Sequence, residues 1–83
     1  MCDEKYKYYK ENTKERISSK EIGKRISQLR KQKKLRQEDM AIKTGIQRAN
    51  ISRIEGGKYY PPLETLEKIA DALSVPVARF LAK

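Results

Sequence analysis

Past residue 17, apolar positions recur at helical intervals along most of the chain. Ile22, Ile26 and Leu29 fall four and three residues apart, one face of a helix, with basic residues on its other sides. Ser18-Ser19-Lys20-Glu21 just before them is a capping box, in which the Ser18 hydroxyl accepts the Glu21 amide and the Glu21 carboxylate reaches back. The pattern predicts a first helix from Ser18 to about Gln32 or Lys33, after which Leu35 turns inward. A second, short helix is expected from Gln37 to Thr44, with Glu38 and Asp39 in its first turn, where acids complement the helix dipole. Its Met40 and Ala41 face inward, Gly45 suits a left-handed C-terminal position, and Ile46 packs back toward the core. A third helix starts after Gln47 and ends at Gly56-Gly57. Ile51 and Ile54 share one of its faces, and 100° per residue puts Arg48, Ala49, Ser52 and Arg53 on the other. Lys58-Tyr59-Tyr60 reads as a loop, and Pro61-Pro62 closes one element and opens the next. The fourth helix, Pro62 to Leu73, points Leu63, Leu66, Ile69, Ala70 and Leu73 inward; Ser74-Val75-Pro76 breaks it. A last short helix, Val77 to Leu81, carries Val77, Phe80 and Leu81. The expected fold is all-α, one compact five-helix domain over residues 18–83.

Residues 1–17 carry no such pattern and read as a polar N-terminal extension. Tyr6 and Tyr8 alternate like a strand, whereas Tyr6, Tyr9, Thr13 and Ile17 roughly follow a helix face. Lysines interleave with the tyrosines. The composition is expected to give a flexible tail; the alternatives are an arm that touches nucleic acid and a segment that packs on a partner.

Charge sharpens the picture. The chain of 83 residues has net charge +9, and residues 21–58 hold eleven basic and four acidic side chains, whereas residues 59–83 balance at three and three. A lysine-rich soluble surface would carry positive charge too, but here it coincides with the ordered middle helices, as on a nucleic-acid-binding surface. Other chemistry falls away. There is no histidine and a single cysteine, Cys2, which excludes a Cys/His zinc cluster, a disulfide within one chain and histidine-based catalysis. Glu38 and Asp39 are adjacent, so on a helix they diverge. Gly56-Gly57 lacks the spacing of a phosphate loop. No enzyme, metal, cofactor or small-molecule ligand is expected. No stretch approaches the roughly 18 apolar residues of a bilayer span. The N-terminus has no apolar core of a signal peptide, so the expected location is cytoplasmic.

The central unit is a short helix, a tight turn with Gly45, and a second short helix; a side chain at Gly45 would resist the turn that sets two such helices at about 90–120°. With its surroundings it resembles the lambda-repressor-like (Cro/cI-type) helix-turn-helix domain. The matching pieces are Ile22-Gly23, Ile26, Leu29-Arg30, Gln37-Glu38, Met40-Ala41, Gly45-Ile46, Ile51-Ser52, Ile54-Glu55-Gly56, Pro61, Leu66, Ile69-Ala70 and Leu73. The resemblance covers residues 22–81 and leaves the extension outside.

It implies a homodimer on an inverted-repeat operator in double-stranded DNA, with the helix at about 47–56 in the major groove. By position, Arg48, Ala49, Ser52 and Arg53 become base-reading candidates. Arginine bonds guanine bidentately; the Ala49 methyl either touches a thymine methyl or is simply small enough to let the backbone approach. Gln37 matches a glutamine that bonds phosphate and braces the recognition helix. Asn50, Lys58, Tyr59 and Lys43 are further phosphate candidates, while Lys31, Lys33 and Lys34 suit long-range attraction. Arg30 and Glu55 stand where the family has a partly buried ion pair, a structural role. Val75, Val77, Phe80 and Leu81 are candidates for the dimer surface, unless they only close the protomer's own core. Arg36 and Gln47 depart from the family's Thr or Ser caps and are expected either to weaken two helix starts or to reach the DNA backbone. The expected function is a transcriptional regulator, a repressor in the first instance. The alternative is a protein-interaction module of the same fold that binds no DNA strongly.

Overall fold

The computed structural model describes residues 17–82. Within them the chain forms five helices and no strand: α1 Ser19–Gln32, α2 Gln37–Thr44, α3 Arg48–Glu55, α4 Leu63–Ala72 and α5 Ala78–Leu81. The expectations for the tyrosine- and lysine-rich extension and for Cys2 lie outside the described residues.

The helix starts use different halves of one device. At α1, the Ser18 Oγ accepts the Glu21 N–H at 3.1 Å, while the Glu21 carboxylate pairs with Arg25 one turn on, at 3.4 Å, rather than reaching back. At α2, Arg36 contributes no side-chain cap, but the Asp39 carboxylate accepts the Arg36 backbone N–H at 2.8 Å. That bond holds the Asp39 carboxyl below the usual carboxylate range. Arg36 is therefore a poor cap that Asp39 offsets from the third position of the helix. Gln47 makes no side-chain cap at α3. Pro62 is the N-cap of α4 rather than its first residue, and α5 starts one residue later than the apolar pattern suggests. Ile17, placed in the extension by its polar neighbours, is buried in the core. It stands just before the Ser18 cap, and Ile22 stands four positions into the helix, the two places of a hydrophobic staple.

The buried face of each helix supplies one core: Ile22, Ile26 and Leu29 from α1, Met40 from α2, Ile51 and Ile54 from α3, Leu63, Leu66, Ile69 and Ala70 from α4, and Phe80 and Leu81 from α5. The last pair takes the second of the two roles open to it. Phe80 is 0% and Leu81 4% exposed, so they close the protomer's own core and are not available to a flat dimer surface. Val75 and Val77 stay half-buried. A helix of four residues has no stability of its own, and α5 is tied down from α1: the Arg25 guanidinium donates to the Arg79 carbonyl at 3.3 Å and to the Ala82 carbonyl.

Two glycines matter for opposite reasons. Gly45 ends α2 at φ 75°, and a Cβ there would meet nothing within 4 Å; glycine is needed for the backbone angle alone. The turn is held by Thr44, whose hydroxyl donates to the Met40 carbonyl at 2.7 Å and accepts the Ile46 N–H at 3.1 Å. Gly23 sits in ordinary helix, but a Cβ there would fall 2.6 Å from the Glu55 carbonyl oxygen and closer still to that of Ile54. It lets α1 and the end of α3 meet backbone to backbone.

Beside that crossing lies the main polar cluster of the fold. Arg30 Nε donates to Glu55 Oε2 at 2.7 Å and its Nη2 to Glu55 Oε1 at 3.0 Å, a bidentate pair. Arg30 Nη1 donates to the Leu35 carbonyl at 2.8 Å, and Gln37 Nε2 donates to Glu55 Oε1 at 3.1 Å. The two charged side chains are only 11% and 6% exposed. The Glu55 carboxylate raises the Arg30 pKa further above its already high ordinary value, against the opposing effect of burial.

Three expectations follow for stability. Gly23→Ala should lower it by about 2–3 kcal/mol, because the added carbon meets backbone that side-chain motion cannot relieve. Gly45→Ala should lower it by about 1–2 kcal/mol, the left-handed penalty alone, with Gly45→Asn recovering part of the loss. Urea denaturation ranks the three. Glu55→Gln keeps the shape but strands the Arg30 charge and should lose about 3 kcal/mol; the pair Arg30→Met with Glu55→Leu, which removes both charges, should lose less than that single change.

Candidate nucleic-acid interface

With Ile51 and Ile54 buried and Glu55 committed to Arg30, α3 has one free side. Arg48, Ala49, Ser52 and Arg53 are all exposed on it, and Asn50 is half-buried beside them. These are the residues that helical periodicity separates from the core face. Arg48 and Ala49 occupy the first two positions of α3 after Gln47. Peptide N–H groups there have no partner within a helix and carry its partial positive charge.

The phosphate candidates divide. Gln37, at the start of α2, is half-buried and holds Glu55 of α3, so its side chain braces one helix of the motif against the other. Lys58 is exposed, just past the end of α3. Lys43, at the other end of α2, lines a groove with Thr44 and with Lys68, Asp71, Ala72 and Ser74 from α4 and the turn after it. Its charge also helps to lower the Asp39 pKa, four residues back along the same helix. Lys43 thus belongs to a different surface from the cluster around Gln37 and Glu55.

Tyr59 is half-buried and packs against the core, and its ring lies 5.5 Å from the Arg53 guanidinium carbon, a cation–π contact. The turn that returns it toward α3 is a Schellman motif. Lys58 N–H donates to the Arg53 carbonyl at 3.0 Å, Gly57 N–H to the Ile54 carbonyl at 3.1 Å, and Gly57 takes φ 72°. Sequence reading marked Gly56-Gly57 as a stop but missed the stack. The available signal was an aromatic two residues past a helix-ending glycine. It also missed Ser19, whose Oγ donates to the Gly57 carbonyl at 3.2 Å and so fastens this turn to the start of α1. Among the described residues, no group of histidine, cysteine, aspartate or glutamate is arranged to hold a metal ion, and no helix is long and apolar enough to cross a membrane.

Comparison with known proteins agrees with this geometry. Residues 23–83 match the family model described as a helix-turn-helix domain. The chain is 37% identical over 62 residues to the immunity repressor protein of Bacillus phage phi105, covering 75% of this chain and 43% of the relative. It is 36% identical over 63 residues to the HTH-type transcriptional repressor RghR of Bacillus subtilis (strain 168), covering 75% of this chain and 47% of the relative. The chain thus spans less than half the length of these two relatives. Among solved structures, the restriction-modification controller protein C.AhdI from Aeromonas hydrophila superposes with a TM-score of 0.73 at 29% identity, covering 75% of this chain and 94% of that one. The relatives are regulators of transcription, not enzymes. Family match, sequence relatives and superposed fold converge: the chain belongs to the helix-turn-helix domain family, in its lambda-repressor-like form.

Proposed function

We propose that this chain is a sequence-specific repressor that binds double-stranded DNA as a homodimer, with α3 in the major groove of each half of an inverted repeat. The observation that carries the reading is the exposed side of α3. Arg48, Ala49, Ser52 and Arg53 stand clear of the core on a helix whose other side is fastened by two isoleucines and an ion pair. Direct readout needs this combination, since a bidentate arginine discriminates bases only when its helix is held still. The repressor sense rests on the names of the phage and Bacillus relatives.

Around that helix, Gln37, Asn50, Lys58 and Tyr59 supply the phosphate contacts that set its register; Lys43, in its separate groove beside α4, adds to the net charge of +9 that supplies the salt-dependent attraction. The second protomer docks on the half-buried Val75 and Val77, which line a shallow groove with Pro76 and Ala78. Half-sites then lie about one helical turn, ~34–36 Å, apart. Such a protein works in the cytoplasm, at the nucleoid.

Selection of bound sequences from a random duplex pool tests the whole reading. The expected result is an inverted repeat, with Arg53→Ala relaxing preference at one position of each half-site by about 1–3 kcal/mol. An unchanged binding-site profile would remove Arg53 from the base-reading set. Binding that is absent, or indifferent to salt between two ionic strengths, would favour a protein-interaction module instead. Val77→Asp should convert a dimer to a monomer in sedimentation; a variant that still sediments as a dimer places the interface elsewhere.

A further inference from the structure

We infer that Tyr59 is a positioning residue for base recognition: its ring holds the Arg53 guanidinium in the pose that reads a base, independently of any contact made by its hydroxyl. The inference rests on the function proposed above and assigns the ring a separate part in it.

Arg53 lies in the last turn of α3, at the exposed end of the proposed reading side. A free arginine there samples many rotamers, and reading one base costs the entropy of choosing one. In this fold the choice is already narrowed, because the guanidinium carbon sits 5.5 Å from the centre of the Tyr59 ring. A cation–π contact uses none of the five guanidinium N–H donors, so all remain for a guanine edge.

The platform is itself fixed. Tyr59 is half-buried against the core, and the turn before it is closed by the bond from Lys58 N–H to the carbonyl of Arg53 itself, at 3.0 Å. Gly57 meets two demands there. It takes φ 72°, and a Cβ on it would fall 2.8 Å from Lys20 Cα. Ser19 Oγ bonds the Gly57 carbonyl at 3.2 Å. The ring is therefore carried on a turn built directly against α1, and it does not wander with the loop.

The test uses the full chain and the preferred duplex, compared with duplexes changed only at the base pair whose preference Arg53→Ala relaxes. Discrimination is read as the ratio of affinities, which cancels uniform losses from weaker phosphate contact or lower stability. Tyr59→Phe keeps the ring and should leave the ratio as in the parent chain. Tyr59→Leu should reduce it about two- to fivefold, the scale of an exposed cation–π contact. In an Arg53→Ala background, Tyr59→Leu should change it no further. If Phe loses as much as Leu, the hydroxyl acts and the ring inference is overturned. If Leu keeps the parent ratio while Arg53→Ala lowers it, Arg53 reads its base unaided; the inference falls and the proposed function stands. If Arg53→Ala changes no position, or the chain binds no duplex, the inference falls together with the base-reading assignment beneath it.

Discussion

The orientation of α3 depends on one desolvated ion pair. Arg30 and Glu55 join the last turn of α1 to the last residue of α3, and both are almost out of water. Such a pair earns little net stability, because desolvation offsets much of the attraction. What it imposes is geometry. A bidentate pair tolerates only a narrow range of relative positions, and two further bonds, to the Leu35 carbonyl and from Gln37, extend the constraint to the α1–α2 connection and to α2. Gly23 makes the short approach possible from the other direction, since any side chain there would push α1 off the end of α3. The four exposed residues of α3 owe their common aim to this junction.

A second regularity is the way three of the helices stop. α1, α3 and α4 each end in the same pair of backbone bonds: Leu35 to Arg30 and Lys34 to Lys31, Lys58 to Arg53 and Gly57 to Ile54, Val75 to Ala70 and Ser74 to Asp71. The left-handed residue is glycine only at Gly57; Lys34 takes φ 60° and Ser74 φ 59°. A side chain in that region costs about 1–2 kcal/mol. At α1 and α4 the next residue, Leu35 or Val75, packs against the core, and that burial offsets the strain. At α3 the next residue is Lys58, which stays exposed, and glycine removes the strain instead.

The C-terminal segment divides its apolar residues between two tasks. Phe80 and Leu81 complete the core, and Arg25 anchors the carbonyls around them. Val75 and Val77 remain half-buried at the edge. A surface of that kind is consistent with a second copy, and it shows why apolar character alone did not separate the two pairs: all four residues are hydrophobic, and only packing decides which of them face inward.

Much of this protein is legible along the chain. Apolar spacing, with the caps and breakers that flank it, places the five described helices to within a residue or two, Gly45 the turn between α2 and α3, and the phase of Ile51 and Ile54 the side of α3 left to solvent, because each of these follows from local periodicity or from a single residue's allowed φ. Other features are silent there. Lys34 and Ser74 carry no mark of a left-handed residue, since their strain is tolerated only through the packing of the residue that follows. The need for Gly23 arises from backbone far along the chain. Ser19 and Arg25 find partners 38 and 54 residues away. The Arg53–Tyr59 stack exists because a helix stops, the chain reverses, and a ring comes back over the last turn. Sequence periodicity determined which residues face away from the core; only the tertiary structure decided which of them are held still, because the groups that hold them meet through folding and not through spacing.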